Sequence, residues 1–149
     1  MPPDKHHVAL YGGAFNPPTR GHHAVVRRLL RAGFERVLVM PCHGHTFGKR
    51  LAPALDRLAL ARACFADLPG VTVSSFEIDA RLGGSTYELL QHLGRDSKHA
   101  ETEFFVVIGS DEANLLHRWQ RSEELRKEAR FVIIPRPGHP LNAGAEWAQ

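Results

Sequence analysis

The strongest chemical signal lies at residues 12–23, which read GGAFNPPTRGHH. Gly12 and Gly13 let backbone amides approach an anion closely, and Pro17 and Pro18 fix the chain's path into a helix starting around residues 20–22. Free N–H groups and the positive end of the helix dipole then face one cavity. His22 falls in the first helical turn, where an imidazole N–H reaches an anion held there. The pattern is that of a phosphate site, though neither GxxxxGK[ST] nor GxGxxG is present. Residues 44–49 are one residue short of the former and lack its Ser/Thr. A Gly/Pro-rich turn carrying an ordinary surface histidine is the alternative.

Three further stretches carry candidate groups. Asp111 follows an apolar run, where a carboxylate accepts hydrogen bonds from ribose hydroxyls, and Trp119, eight residues on, offers a flat aromatic face. Core packing is the other reading of Trp119. Residues 41–53 (PCHGHTFGKRLAP) bring together His43, His45, Lys49 and Arg50, either beside a phosphate or as a solvated basic turn. The two histidines have no third ligand in register, so no metal is expected. Thr86 opens a helix, where it suits the N-cap position. No Ser/His/Asp or Cys/His arrangement is visible, and Cys42 and Cys64, without metal or CxxC spacing, read as reduced thiols of a cytoplasmic protein.

These groups need a scaffold. Strands are expected at residues 7–11, 36–41, 71–74, 104–108 and 131–135, most of them continuous apolar runs suited to burial on both faces. Helices are expected at 21–32, with Ala24, Val25, Leu29 and Ala32 inward, and at 53–68, with Leu55, Leu58, Ala59, Ala63 and Phe65 or Ala66 inward. Shorter ones are expected at 86–93, 112–116 and 122–128. The order predicts a doubly wound, five-stranded parallel α/β sheet of Rossmann-like type, with helices on both faces and ligands beyond the carboxyl ends of the strands.

The chain's 149 residues suit a single domain, and 43% hydrophobic with 23% charged residues argues against disorder. A net charge of +3 is too mild to announce a nucleic-acid binder. No apolar run approaches the roughly 20 residues of a membrane span, and the first seven residues lack the apolar region of a signal peptide. Assembly into a homo-oligomer stays open.

The motifs resemble a known family. Gly13-x-Phe15-x-Pro17-x-Thr19-x-Gly21-His22 resembles the GxFxPx(H/T)xGH signature of the nucleotidyltransferase superfamily. The Gly109-Ser110-Asp111…Trp119 segment is similar to that of the nicotinate/nicotinamide mononucleotide adenylyltransferases, as are Ser85-Thr86-Tyr87 and the FVIIPRPG of residues 131–138. The resemblance implies that Thr19 and His22 act on the phosphates and that Gly12, Gly13, Ala14, Phe15, Gly21, Gly109 and Asp111 bind ATP. It implies that Lys49, Thr86, Asp111 and Trp119 bind the nicotinate or nicotinamide mononucleotide. The implied reaction is in-line attack of the mononucleotide 5′-phosphate on the α-phosphate of Mg²⁺-bound ATP.

Two departures accompany it. The family's later (I/S)SSTxxR-like motif, which holds the β- and γ-phosphates, has no counterpart before Gln149. The expectation is therefore a chain truncated at its C-terminus or one that binds ATP without that clamp. Thr19 stands where pyridine-nucleotide members usually have His; a Thr there is the habit of phosphopantetheine adenylyltransferases, which form the second reading. A nucleotide-binding module without turnover is the third.

Overall fold

The computed structural model describes residues 6–44, 50–99 and 101–141. Its sheet comprises β1 (His6–Gly13), β2 (Arg36–Pro41), β3 (Val71–Val73), β4 (Thr102–Gly109) and β5 (Arg130–Ile134), all parallel, in the order β3-β2-β1-β4-β5. Chain order reverses between β1 and β4, so the crevice at their carboxyl ends is the topological switch point. Register sets Leu10 beside both Leu38 and Val106. Alternation along β1 sends Val8 and Leu10 to one core cluster, with Leu38, Met40, Leu89, Leu93, Val106 and Ile108. Ala9 goes to the other, with Phe15, Val26, Leu29, Val37, Val39, Ala61, Phe65 and Val107. Both faces are thus covered, as the apolar runs predicted.

Helices α1 (Arg20–Arg31) and α2 (Ala54–Phe65) pack on one face; α4 (Thr86–Arg95) packs on the other. Short helices α3 (Phe76–Asp79), α5 (Ser110–Asn114) and α6 (Ser122–Glu128) sit between strands. Two inward stripes differ from expectation. On α1 the buried residues are Val26 and Leu29, while Ala24 and Ala32 are exposed, a rotation that turns His22 onto the half-buried side. On α2 the buried residues are Arg57, Leu58, Ala61 and Phe65; Leu55, Ala59, Ala63 and Ala66 are exposed, Leu55 by 71%. The cause on α2 is Arg57, whose burial rotates the helix away from the stripe that apolar residues alone suggest. α2 also ends three residues early, ahead of Leu68-Pro69-Gly70, where proline disfavours a helical residue before it.

The expected helix at 112–116 starts earlier, at Ser110, and gives way to a 3₁₀ turn at Leu116–Arg118. Asp111 therefore lies within a helix's first turn. α3 and the 3₁₀ turn Ser97–His99 had no sequence signal long enough to announce them. Among the described residues no helix is long and apolar enough to cross a membrane.

Candidate nucleotide site

The loop leaving β1 is shaped by a reciprocal cap. Thr19 is the N-cap of α1, and its Oγ1 accepts the His22 N–H at 3.4 Å while the Thr19 N–H donates to His22 Nδ1 at 2.8 Å. A nitrogen that accepts a backbone N–H carries no proton, so the neutral ring holds its proton on Nε2, as a donor. Burial, then the positive charge of Arg136, pushes the His22 pKa down, which keeps the ring neutral. The imidazole rests edge-on against Phe15, ring centroids 5.0 Å apart, and Phe15 in turn packs on Tyr11 and Phe65. Phe15 adopts a φ of 48° yet is 2% exposed. Gly21 lies where an added Cβ would stand 3.4 Å from Thr19 Oγ1. Gly12 and Gly13 are the exposed last residues of β1 itself, with Ala14 following them.

Across the switch point, β4 ends at Gly109 and α5 begins. Asp111 Oδ2 accepts from Arg136 Nη1 at 3.1 Å; its Oδ1 is buried and has no partner among the described residues. Ser110 Oγ accepts the Arg136 N–H at 2.9 Å, which ties the loop after β5 to the start of α5. Glu112 Oε1 accepts the Gly109 N–H at 3.2 Å. The Tyr11 phenol, raised to about 12 by burial and then by the charge of Glu112, stays protonated. A cleft of about 500 Å³ opens beside this cluster, lined by Ser110, Ile133, Pro135, Arg136 and His139 among others. The structure thus brings Gly109, Asp111 and, through Arg136, His22 to one edge of the sheet.

Other expected residues fare differently. Thr86 is the first residue of α4, but the cap is Ser85, whose Oγ accepts the Glu88 N–H at 3.3 Å. The N-cap reading of Thr86 is therefore corrected: Ser85 has the extended backbone a cap requires, which leaves the half-buried Thr86 hydroxyl outside the capping bond. Trp119 is partly buried against the cluster that contains Leu10 and Ile108, and its backbone N–H donates to Leu116 O at 2.9 Å. That amide is spent on the 3₁₀ turn. Lys49 and His45 lie outside the described residues, and Arg50 is exposed. Among the described residues no group of three or more His, Cys, Asp or Glu is placed to hold a metal ion.

Sequence reasoning missed two charged residues that this end of the molecule buries, Arg57 at 1% and Glu77 at 5% exposure. The available signals were an arginine in register with Leu58, Ala61 and Phe65, and a lone glutamate between Phe76 and Ile78. Glu77 Oε2 accepts the His43 N–H at 3.1 Å. Burial pushes its carboxyl up to about 7, with the His43 N–H and then Arg57 opposing. Raised above its unfolded value of 4.5, this group's contribution to stability is complete below pH 4.5 and disappears as pH rises through about 7. The span corresponds to roughly 3 kcal/mol. In urea unfolding, Glu77→Gln is therefore expected to match the parent chain at pH 5 and to exceed it by roughly 2–3 kcal/mol at pH 8. Equal differences at the two pH values would remove Glu77 as the titrating group.

Comparison with known proteins bears on this site. A family model described as cytidylyltransferase-like matches residues 10–147. A curated protein of Anaeromyxobacter dehalogenans (strain 2CP-C), named "Probable nicotinate-nucleotide adenylyltransferase", is 37% identical over 142 residues, covering 93% of this chain and 75% of its own length. The solved Plasmodium falciparum nicotinic acid mononucleotide adenylyltransferase complexed with APC superposes with a TM-score of 0.78 at 21% identity, covering 93% of this chain and 68% of that one. The same protein complexed with NaAD gives 0.74 at 21%, covering 93% and 69%. At that identity the two superpositions establish the fold.

Proposed function

The chain belongs to the cytidylyltransferase-like family and, within it, to the nicotinate-nucleotide adenylyltransferases; from that premise we propose that it moves the adenylyl group of ATP onto the 5′-phosphate of nicotinate mononucleotide. The observation that carries the reading is the cap of α1. It holds a neutral imidazole with its proton on Nε2 at the helix end that follows β1, within the field of Arg136, which pairs with Asp111 across the switch point.

The chemistry needs no protein nucleophile. An oxygen of the acceptor phosphate attacks the α-phosphorus, the bond to the bridging α–β oxygen breaks, and pyrophosphate leaves with that electron pair. Negative charge on the α-phosphate oxygens grows as phosphorus becomes five-coordinate, so a fixed donor stabilises the transition state more than the ground state. His22 Nε2–H and the amides at the start of α1 supply such donors. Thr19 holds the imidazole through its N–H and accepts the His22 N–H on Oγ1, which leaves its hydroxyl proton for a phosphate oxygen. Gly12, Gly13, Ala14, Phe15 and Gly21 form the backbone surface on which ATP lies. Gly109 and Asp111 take the ribose hydroxyls through the carboxylate oxygen that has no other partner among the described residues. Thr86, Trp119 and Lys49 take the mononucleotide. Mg²⁺ enters as the counter-ion of the triphosphate, part of the substrate. Cys42 and Cys64 are free thiols, which suits a reducing, cytoplasmic setting.

The test is direct. With ATP, Mg²⁺ and nicotinate mononucleotide the chain should release dinucleotide and pyrophosphate in equal amounts, and EDTA should stop the reaction. In the same assay Trp119→Ala should raise the mononucleotide KM at least tenfold more than the ATP KM, since the aromatic face serves only one substrate. Nucleotide binding without pyrophosphate release would overturn the enzymatic reading; equal KM effects would return Trp119 to core packing.

A further inference from the structure

Arg57 is the most fully buried charge among the described residues, and it lies outside the site just assigned. Its guanidinium reaches three segments. Nη1 donates to Ala14 O at 2.9 Å and approaches Cys42 Sγ at 3.8 Å; Nη2 donates to His43 O at 3.4 Å; Nε donates to Ala52 O at 2.8 Å. Ala14 belongs to the loop leaving β1, Cys42 and His43 follow β2, and Ala52 precedes α2. His43 is held from both sides, its carbonyl by Arg57 and its N–H by Glu77 Oε2 at 3.1 Å.

Packing alone does not account for this arrangement. Apolar residues of similar volume usually serve a core at least as well as a buried charge, and the neighbours of Arg57 on α2 are Leu58, Ala61 and Phe65. What an apolar residue cannot do is bind several carbonyls at once from a rigid, planar fork. All the acceptors here are main-chain or thiol groups of loops that emerge at the carboxyl edge of the sheet.

We propose that Arg57, assisted by Glu77, is a positioning residue that sets the distance between the loop after β1 and the loop after β2. The inference rests on the function proposed above, in which the first loop holds the phosphates of ATP and the second borders the acceptor. Each loop binds its own ligand without Arg57, but a molecule that spans both requires their spacing to be right. A displacement on the order of 1 Å between reacting groups costs about 10²-fold in rate.

Arg57→Lys tests this, because lysine keeps the charge and loses the fork. Calorimetry would compare Kd values for a non-hydrolysable ATP analogue, nicotinate mononucleotide and the product dinucleotide, alongside kcat. The expected result is a dinucleotide Kd raised about tenfold or more, a kcat lowered by about 10–100-fold, and single-ligand Kd values within about threefold of the parent. A purely structural arginine would lower Tm and leave the dinucleotide Kd of the folded protein unchanged. That result, or an equal shift of all three Kd values, overturns the proposal. Should Arg57→Lys not fold, Glu77→Gln and Glu77→Met replace it. Gln keeps an acceptor for the His43 N–H and is expected to retain dinucleotide affinity, whereas Met is expected to lose about fivefold or more. Equal affinities in that pair also overturn it. A parent chain that makes no dinucleotide counts against the proposed function; a competent parent with indifferent variants counts against the positioning role alone.

Discussion

His22→Ala is expected to lower kcat by about 10²–10³-fold, the range for removing one donor aimed at charge that develops in a transition state. The substitution also removes half of the α1 cap, since Nδ1 accepts the Thr19 N–H, and lost caps cost about 1 kcal/mol of stability. Two effects would thus be mixed in one variant. His22→Gln separates them. Glutamine three residues after a capping threonine completes the same reciprocal arrangement and keeps an amide N–H donor, so its Tm should stay within a few degrees of the parent and its kcat should lie above that of His22→Ala. An Ala variant with parental turnover would strip His22 of its role at the phosphate.

The acid limb of the same residue has a definite sign. Burial and Arg136 lower the His22 pKa, so the folded chain binds its proton less readily than the unfolded chain does. The stability from this group is present above the ordinary imidazole value and is lost as pH falls through the folded one. Protonation also puts a hydrogen on Nδ1, where the Thr19 N–H now points, and so loosens the cap and the donor together. Dinucleotide synthesis should therefore persist to a lower pH than a histidine of ordinary pKa would allow.

How much of this was legible in the sequence follows from what each residue type must do. The sequence announced five strands, most of them as continuous apolar runs, because a strand covered on both faces has no polar side to interrupt it; the edge strands β3 and β5 are only half-buried. The site loop was equally plain, since glycine, proline, threonine and histidine at fixed spacing have few structural explanations. The helix faces were harder. On α1 the valines at 25 and 26 and Leu29 define the inner side, but Ala24 and Ala32 are small enough to suit either surface, and they displaced the reading. On α2 the obstacle was Arg57: hydropathy places an arginine in water, and only the carbonyls supplied by Ala14, His43 and Ala52 make its burial tolerable. Those partners are distant in sequence. Ser85 and Thr86 pose a smaller version of the same problem, because either can cap and only the backbone angles decide.

Gly109→Ala should have the second large effect. At φ −80° and ψ 162° its backbone suits alanine as well as glycine, so conformational strain plays no part. The conflict is one of space. An added Cβ would lie 2.5 Å from Asp111 Oδ1 and 2.9 Å from Arg136 Cδ. The Asp111 carboxylate must rotate away, and the oxygen it moves is the one without a partner among the described residues, assigned above to ribose. Hydrogen bonds to a charged group contribute about 1.5–3 kcal/mol each, so losing one or two should lower kcat/KM by roughly 10²-fold. Gly94→Ala provides the control. It adds the same methyl group within α4, where nothing lies within 4 Å, and should raise stability by about 0.5–1 kcal/mol with turnover unchanged. A Gly109→Ala chain that keeps parental kcat/KM for both substrates would show that the Asp111 carboxylate never meets the nucleotide.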